Sequence, residues 1–598
     1  MGQVNRDMGL HLTAESLTGS MFDFSRPKGA HLLKRTSDFE NWRMARVNAG
    51  VWPFSRVLHS APAPEMTIAD EMGEAHPGLS LACQDYLGLT SHQKIREAAK
   101  KALKDFGPHS AGSPALAGNT SLSLQLEADL GEALNYEHIV LFPTGWAAGY
   151  GTITGLVRPD DYIIMDQLAH ASLQQGAYAA TRNVHRHSHL SIDAARKKLR
   201  EIRADDSENG ILVISEGLFS MDSDIPDIHK LQEVCQEYDA ILMLDVAHDF
   251  GSMGPQGGGS LEIQNLLGKV DLVMGSFSKT FSSNGGFLAT HHESVRQYIK
   301  FYGSHQTFSN ALSPIQTAVI SQALNIVRSD EGAQLREMLL DNVRTLRREL
   351  ESKGISCIGS PSAIVPALIG DEAVARIAWA KSIQQGLHAN LVEFPAVAVG
   401  SARFRMQVMP GHKKDRFVWT ANVLAESIAA AKDEVKKINL SKKTRIRPSS
   451  SNSFGIKMDS LRELKKGDLA KLIKEARIEK FEAGQKLIEV GDEHQVLYIV
   501  QKGELSIEME YHGQAIPIAS CSAGDIIGEI SMLDKKSASA SVVAATDVEL
   551  AAIDHGTIAR LSKTDSELGM RLYKSLAIVL AERLRRNNNM AYGMGFDG

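Results

Sequence analysis

The sequence predicts a mainly parallel α/β sheet with helices on both faces and a small C-terminal α/β subdomain, followed by a separate antiparallel β-roll. Three observations carry this prediction. From about residue 80 to 325 the aliphatic runs HIVLF, DYIIMD, GILVISEG, AILMLDVAH and VDLVMGSF alternate with Leu-, Ala- and Lys-rich segments, the pattern of βαβ units. Beyond about residue 458 the texture changes to short strand candidates, FEAGQKLIEVGD, QVLYIVQKGELSIEME, AIPIAS and VELAAID, punctuated by Gly-Asp and Gly-Glu turns. Between the two lies NLSKKTRIRPSSSNSFGIK, poor in apolar residues and carrying a serine cluster and a proline, the composition of a linker.

Taken in order, residues 1–60 read as an N-terminal arm ending near HSAPAPEM, whose prolines favour an extended connector. Residues 61–437 form the α/β unit. Its last part, from about 340, holds a long helix over GAQLREMLLDNVRTLRRELESKG, a strand over ARFRMQVM and a closing helix over DRFVWTANVLAESIAAAKDEVKKI. Residues 438–457 are the linker and 458–598 the roll, where Gly484, Gly491, Gly503 and Gly524 fit tight turns. A C-terminal helix places Leu568, Leu572, Leu576, Leu580 and Leu584 four residues apart, a stripe that buries against the roll or a partner helix.

Composition narrows the function classes. Lys plus Arg number 65 against 71 Asp plus Glu, a formal charge of -6, so no basic footprint points to nucleic acid. With 43% hydrophobic and 23% charged residues among 598, a mostly disordered or fibrous chain is excluded. Four widely spaced cysteines without a CxxC pair argue against a disulfide framework or structural zinc and read as buried small apolar residues. No run approaches the ~20 apolar residues that span a bilayer, and the N-terminus lacks a signal-peptide pattern, so a cytoplasmic chain is expected.

The chemistry concentrates in SFSKTFSSNGGF, where Lys279 follows the apolar strand VDLVMG and precedes a loop of small residues. A partly desolvated lysine at a strand end can form a Schiff base with a cofactor aldehyde, although a lysine alone signifies little because most are solvated. Upstream, LDVAHDFG sets Asp245 at a strand end and His248 three residues later. The carboxylate can pair with a protonated pyridine nitrogen and the imidazole can reach a phenolate oxygen, whereas alone they would read as a helix cap and a surface histidine. Asp245 and Lys279 together favour a pyridoxal phosphate site.

At this point the region resembles the α-oxoamine synthases, fold-type I pyridoxal phosphate enzymes that join an amino acid to an acyl thioester with loss of carbon dioxide. The resemblance runs from about residue 53 to 437 and rests on an ordered series: CQDYLGLTSHQKI, DQLAHASLQQG, SEGLFSMDSDIPDI, LDVAHDFG, SFSK and GSARFRMQVMPGH. It implies that Lys279 carries the coenzyme and later takes the amino acid α-proton. It further implies that His170 stacks on the pyridine ring, that Asp245 pairs with its nitrogen, and that Ser220 and His248 hydrogen-bond its phenolate oxygen. Backbone amides at Gly145 and Trp146, in FPTGWAAGYG at a helix N-terminus, would hold the phosphate, with the Ser276 hydroxyl beside them. Ser309 would reach the phosphate of a neighbouring subunit, which implies a homodimer. Arg405 is the candidate clamp for the substrate carboxylate, and Arg403, two residues away, is expected in a surface ion pair. Three positions depart from the family: Gln84 stands for the usual asparagine that helps bind the carboxylate, Pro114 for an arginine, and Ser123 for a histidine. They point to altered specificity rather than lost chemistry. Glycine, alanine and serine are the family's usual amino acids; another fold-type I activity, an aminotransferase or lyase, and a non-catalytic scaffold or sensor are the competing readings.

Residues 458 to about 590 resemble a cyclic nucleotide-binding domain. Gly528, Glu529, Ile530 and Ser531 match the start of its phosphate cassette, but Ala538 occupies the place of the arginine that binds the cyclic phosphate. Losing that guanidinium removes a contact of roughly 1.5–3 kcal/mol, and Lys535 or Lys536 would supply a point charge without the fork. Weak or absent cyclic AMP binding is expected, with docking, dimerisation or regulation as the competing role.

Overall fold

The structure is a computed structural model that describes residues 10–438 and 463–591, apart from residues 28, 493–494, 512–513, 535–536 and 539. The linker read at 438–457 therefore lies almost wholly outside the described residues, as do Lys535 and Lys536 and the side chain of Leu584. The chain divides into two compact units between residues 446 and 447.

The first unit is built on a seven-stranded sheet in the order His138–Phe142, Gly286–Thr290, Leu272–Ser276, Ile241–Asp245, Ile211–Glu216, Tyr162–Asp166, Asn183–His187. Its strands from Leu272–Ser276 through Asn183–His187 pair in parallel, while Gly286–Thr290 runs antiparallel to both neighbours. All five aliphatic runs are strands of this sheet. Their near-continuous burial, complete along Ile211–Glu216, is what covering both faces with helices demands. Parallel register brings the carboxyl ends of neighbouring strands level: Glu216 lies opposite Asp245, and Asp245 opposite Met274.

The second sheet of this unit has the order Val57–Leu58, Glu65–Ala69, Ala75–Leu81, Leu387–Val392, Ala402–Gln407, Ile364–Gly370. Three strands from the start of the chain thus complete the C-terminal subdomain, through parallel pairing of Leu79 with Leu387. The strand predicted over ARFRMQVM forms here at Ala402–Gln407, paired on both sides, and the two long helices form at Asp330–Ser352 and Lys414–Ile438. The N-terminal segment is fastened to this subdomain by charge. Glu393 accepts from Arg46 at 3.1 Å and from Arg376 at 2.6 Å, and Arg46 also donates to the carbonyl of Gly19 at 2.8 Å. Around Arg46, Trp42, Trp52, Phe24 and Phe39 form an aromatic cluster, with the guanidinium 3.9 Å from the Trp42 ring centroid.

The second unit is antiparallel throughout. One four-stranded sheet orders Arg477–Phe481, Val548–Asp554, Val496–Lys502, Ile526–Ile527, and the other Lys486–Ile488, Ser541–Ala544, Glu504–Tyr511, Gln514–Ser522. The turn glycines Gly484, Gly491, Gly503 and Gly524 have φ of 91°, 93°, 90° and 95°, a region that only glycine enters at little cost. Leu568, Leu572 and Leu576 of the helix Ser566–Ala591 are buried in one apolar cluster with Leu497 and Ile553 of the roll.

Arg46, Arg376 and Glu393 are all buried, so Glu393→Ala leaves two guanidiniums without their carboxylate. Breaking such a buried unit costs about 3–5 kcal/mol. Urea denaturation should show that loss; a cost below about 1 kcal/mol, the range of an exposed ion pair, would contradict the account.

Candidate active site

The carboxyl ends of the parallel strands present Asp166, Glu216, Asp245 and Ser276 along one edge of the sheet, where open α/β sheets place their ligand crevices. Lys279 enters this edge from the turn after Leu272–Ser276. Although it keeps some exposure along a cleft, its amine is surrounded by Asp245, Glu216 and Arg405. Desolvation, reinforced by Arg405 and opposed by the two carboxylates, brings the amine down to about 8. The same burial pushes the Asp245 carboxyl up, against the pull of Lys279 and the N–H of Ala247, which it accepts at 2.9 Å.

The two histidines are held neutral. His170 caps the helix Ala171–Ala180; its backbone N–H donates to Glu216 at 2.6 Å and its Nδ1 lies 2.8 Å from the Ser172 hydroxyl. Burial, with Lys279 and Arg405 nearby, lowers its ring to about 4. His248 is driven well below its usual range by burial and the same two cations. Its Nδ1 lies 2.8 Å from the Tyr86 hydroxyl, and the charge of Arg405 acts on the same phenol.

Arg405 sits on the strand Ala402–Gln407, opposite Asn390 and Pro366 on its two neighbours, and its buried Nε has no hydrogen-bond partner. A buried unpartnered guanidinium N–H beside Lys279 fits a carboxylate ligand. Gln84 and Lys279 line a common cleft of about 430 Å³ with Cys83, Asp85, Ser278 and Ile315. Asp85 shapes the cleft wall by accepting from the backbone N–H groups of Leu89 and Thr90, each at 2.9 Å.

At the other side, Gly145 and Trp146 begin the helix Gly145–Leu156, capped by Thr144, which accepts from Ala147 N at 3.0 Å. A Cβ on Gly145 would lie 2.4 Å from both Cβ and Oγ of Ser276, so only glycine lets this helix start reach the serine. Two early helical N–H groups and a hydroxyl therefore converge, a fit for phosphate. Trp146 stands 6.1 Å from His170, ring centre to ring centre.

The structure thus joins Lys279, Asp245, His170, His248 and Arg405 in one cluster, with Gly145 and Ser276 as a second contact pair and Gln84 on the shared cleft. Ser220 lies on the turn after Ile211–Glu216, and Ser309 on the segment before the helix Pro314–Val327, next to Phe308. Arg403 corrects the expectation of a surface pair: it is ion-paired with Asp222 but buried, on a strand paired on both sides. The cysteines also divide, Cys235 and Cys521 being buried and Cys83 and Cys357 half-buried. Sequence reading passed over Tyr86 and Glu216, although both fall inside quoted motifs; neither residue type suggested a role without its partner.

The aminotransferase class I and II profile matches residues 77–418. The chain belongs to this family. Within it, an 8-amino-7-oxononanoate synthase of Geotalea daltonii is 33% identical over 56% of this chain and 85% of its own length. A serine palmitoyltransferase of Sphingobacterium spiritivorum is 32% identical over 61% and 89%. Among solved structures, Sphingomonas wittichii serine palmitoyltransferase superposes with TM-score 0.63 at 27% identity, covering 68% of this chain and 100% of that one. Another serine palmitoyltransferase, solved with pyridoxal phosphate as an internal aldimine, gives TM-score 0.63 at 27% identity over 67% and 99%. This aminotransferase class I and II member is accordingly a pyridoxal phosphate-dependent acyltransferase of the α-oxoamine synthase type. The cyclic nucleotide-binding domain profile matches residues 478–565 of the second unit. Among the described residues no helix is long and apolar enough to cross a membrane.

Because the Lys279 amine titrates near 8, the rate at which coenzyme-free protein takes up pyridoxal phosphate should rise with pH through about 8 and then level, as followed by visible absorbance. Asp245→Asn removes a carboxylate that favours the ammonium form, so the rise should move to lower pH. A rate still climbing toward about pH 10.4, as for a solvated lysine, would contradict the site.

Proposed function

We propose that the first unit condenses a small amino acid, glycine, alanine or serine, with an acyl thioester to give an α-oxoamine, carbon dioxide and free thiol. The observation that carries this reading is a desolvated Lys279 amine enclosed with Asp245 and close to Arg405, whose buried Nε has no hydrogen-bond partner.

Bound pyridoxal phosphate supplies an electron sink for the substrate Cα. The residues of the chain do the rest. Arg405 grips the amino acid carboxylate, with Gln84 on the cleft that Lys279 lines. Lys279 holds the coenzyme in the resting enzyme and, once released, removes the Cα proton as a base whose affinity for protons suits neutral pH. Asp245 would pair with the ring nitrogen, neutral His170 would stack on the ring, and His248 and Ser220 would hydrogen-bond the ring oxygen. Gly145, Trp146 and Ser276 would hold the phosphate. A bond forms between Cα and the acyl carbon as the carbon–sulfur bond breaks and the thiolate is protonated. The bond from Cα to the carboxylate then breaks, and a proton replaces carbon dioxide on Cα.

A homodimer supports this arrangement. Phe308 and Leu116 are 88% and 80% exposed, and the loops that bear them are joined by Ala115 N to Gln306 O at 3.0 Å and Ala311 N to Gly112 O at 2.9 Å. Two large apolar side chains presented on one braced edge, next to Ser309, suit a second copy of the chain.

With purified protein, thiol and carbon dioxide should appear in equal amounts, and Lys279→Ala should abolish both. Arg405→Lys loses a forked contact of roughly 1.5–3 kcal/mol, so the amino acid KM should rise on the order of tenfold or more. Amino transfer to a keto acid without carbon dioxide would instead favour an aminotransferase.

For the second unit we propose a structural or regulatory role with little or no cyclic nucleotide affinity. Ala538 packs its methyl on an apolar cluster of the roll and is pinned by Ala538 N to Asp492 O and Gly491 N to Ala538 O, both 2.8 Å. Calorimetry with cyclic AMP should show no saturable heat; tight binding that vanishes in Glu529→Ala would overturn this.

A further inference from the structure

We propose that His189 is a positioning residue of the coenzyme site, bridging Asp166 and Asp224 so that the loop carrying His170 and the loop carrying Ser220 are locked in one arrangement. The inference rests on the reading of His170 and Ser220 as coenzyme contacts.

The geometry is specific. His189 Nδ1 lies 2.9 Å from Asp166 Oδ1, and Nε2 lies 3.0 Å from Asp224 Oδ2. Ionised carboxylates only accept, so both ring nitrogens must carry hydrogen and the ring is an imidazolium. The two carboxylates hold it so, raising it to about 9 against the effect of burial. The Phe219 ring meets the imidazole edge-on at 4.6 Å and shields it.

Each carboxylate belongs to a loop that reaches the site. Asp166 ends the strand Tyr162–Asp166 four residues before His170, and it also accepts from Leu168 N and Leu190 N, both at 2.8 Å. Asp224 closes the turn after Ile211–Glu216: Phe219 N donates to its carbonyl at 3.0 Å, which places Ser220 inside the closed turn. The same turn is tied to the small subdomain. Asp222 pairs with Arg403, two residues before Arg405, and Ser223 Oγ lies 2.7 Å from Ser362 Oγ. The contacts Asp166–His189–Asp224 and Asp222–Arg403 therefore run from the ring-stacking histidine to the strand of the carboxylate clamp.

The group is not a cation site in this arrangement. His189, Asp222 and Asp224 have ligand atoms within 4.8 Å of one another, but Arg403 already occupies Asp222 and Asp166 the other ring nitrogen.

His189→Gln has both donor hydrogens on one nitrogen, so it cannot span the two carboxylates as opposed ring nitrogens do, and it carries no charge; Asp224→Ala keeps the His189–Asp166 half alone. Hydrogen exchange of the full chain without coenzyme, read by mass spectrometry, should show faster exchange together at residues 166–171 and 217–225 in both variants. In the coenzyme-loaded protein, dichroism of the coenzyme band per bound molecule should fall. The kcat should drop about 10- to 100-fold, the range for a small misplacement of catalytic groups, with a smaller change in the amino acid KM. Unchanged exchange at 217–225 in both variants, or unchanged dichroism with kcat falling only as the folded fraction falls, would overturn the proposal. Because exchange is read without coenzyme, a wild-type chain that refuses pyridoxal phosphate would sink the reading of the site while leaving the exchange result to decide the bridge.

Discussion

An amine and a carboxylate enclosed together at the ends of two adjacent parallel strands set the chemical character of the first unit. Burial alone would neutralise both Lys279 and Asp245, and each is kept near its charged form by the other. That balance leaves the amine able to shed its proton close to neutral pH while the carboxylate stays ready for a cationic ring nitrogen. It exists because the register of the sheet sets Asp245 level with Met274, five residues before Lys279, and because burial desolvates both groups.

Around this pair the cations and neutral rings are sorted by burial. Burial beside Lys279 and Arg405 disfavours the charged form of His170 and His248, whereas at His189 two carboxylates offset desolvation and favour the imidazolium. Arg405 is delivered by the other sheet. The first strands of the chain enter that sheet and pair with Leu387–Val392, and Asn390 donates to the carbonyl of Ala82 at 3.0 Å, just before Gln84. The strand of Arg405 and the segment leading to Gln84 are therefore connected through this sheet, and the buried Glu393 with its two arginines keeps the N-terminal segment on the same subdomain.

Much of this was legible in the sequence because parallel strands covered on both faces are continuous apolar runs. HIVLF, DYIIMD and the others could hardly be anything else. The strand Asn183–His187 was not read, since NVHRH is a half-exposed edge with no apolar run. Gly286–Thr290 was missed because its apolar residues follow directly on the small-residue loop after Lys279. The crossing of Ala75–Leu81 into the C-terminal sheet is a contact between residues some three hundred positions apart, invisible to local pattern. Lys279, Asp245 and His170 declared themselves by motif, whereas Tyr86, Glu216 and His189 acquire meaning only from the partners the fold brings to them.

The account stands on Lys279 being the residue that captures the coenzyme. Treating the yellow protein with borohydride would fix any such bond, and mass spectrometry of its peptides would locate it. The account predicts a phosphopyridoxyl group on Lys279 in the SFSK peptide; the same group on another lysine, or on none, would contradict it.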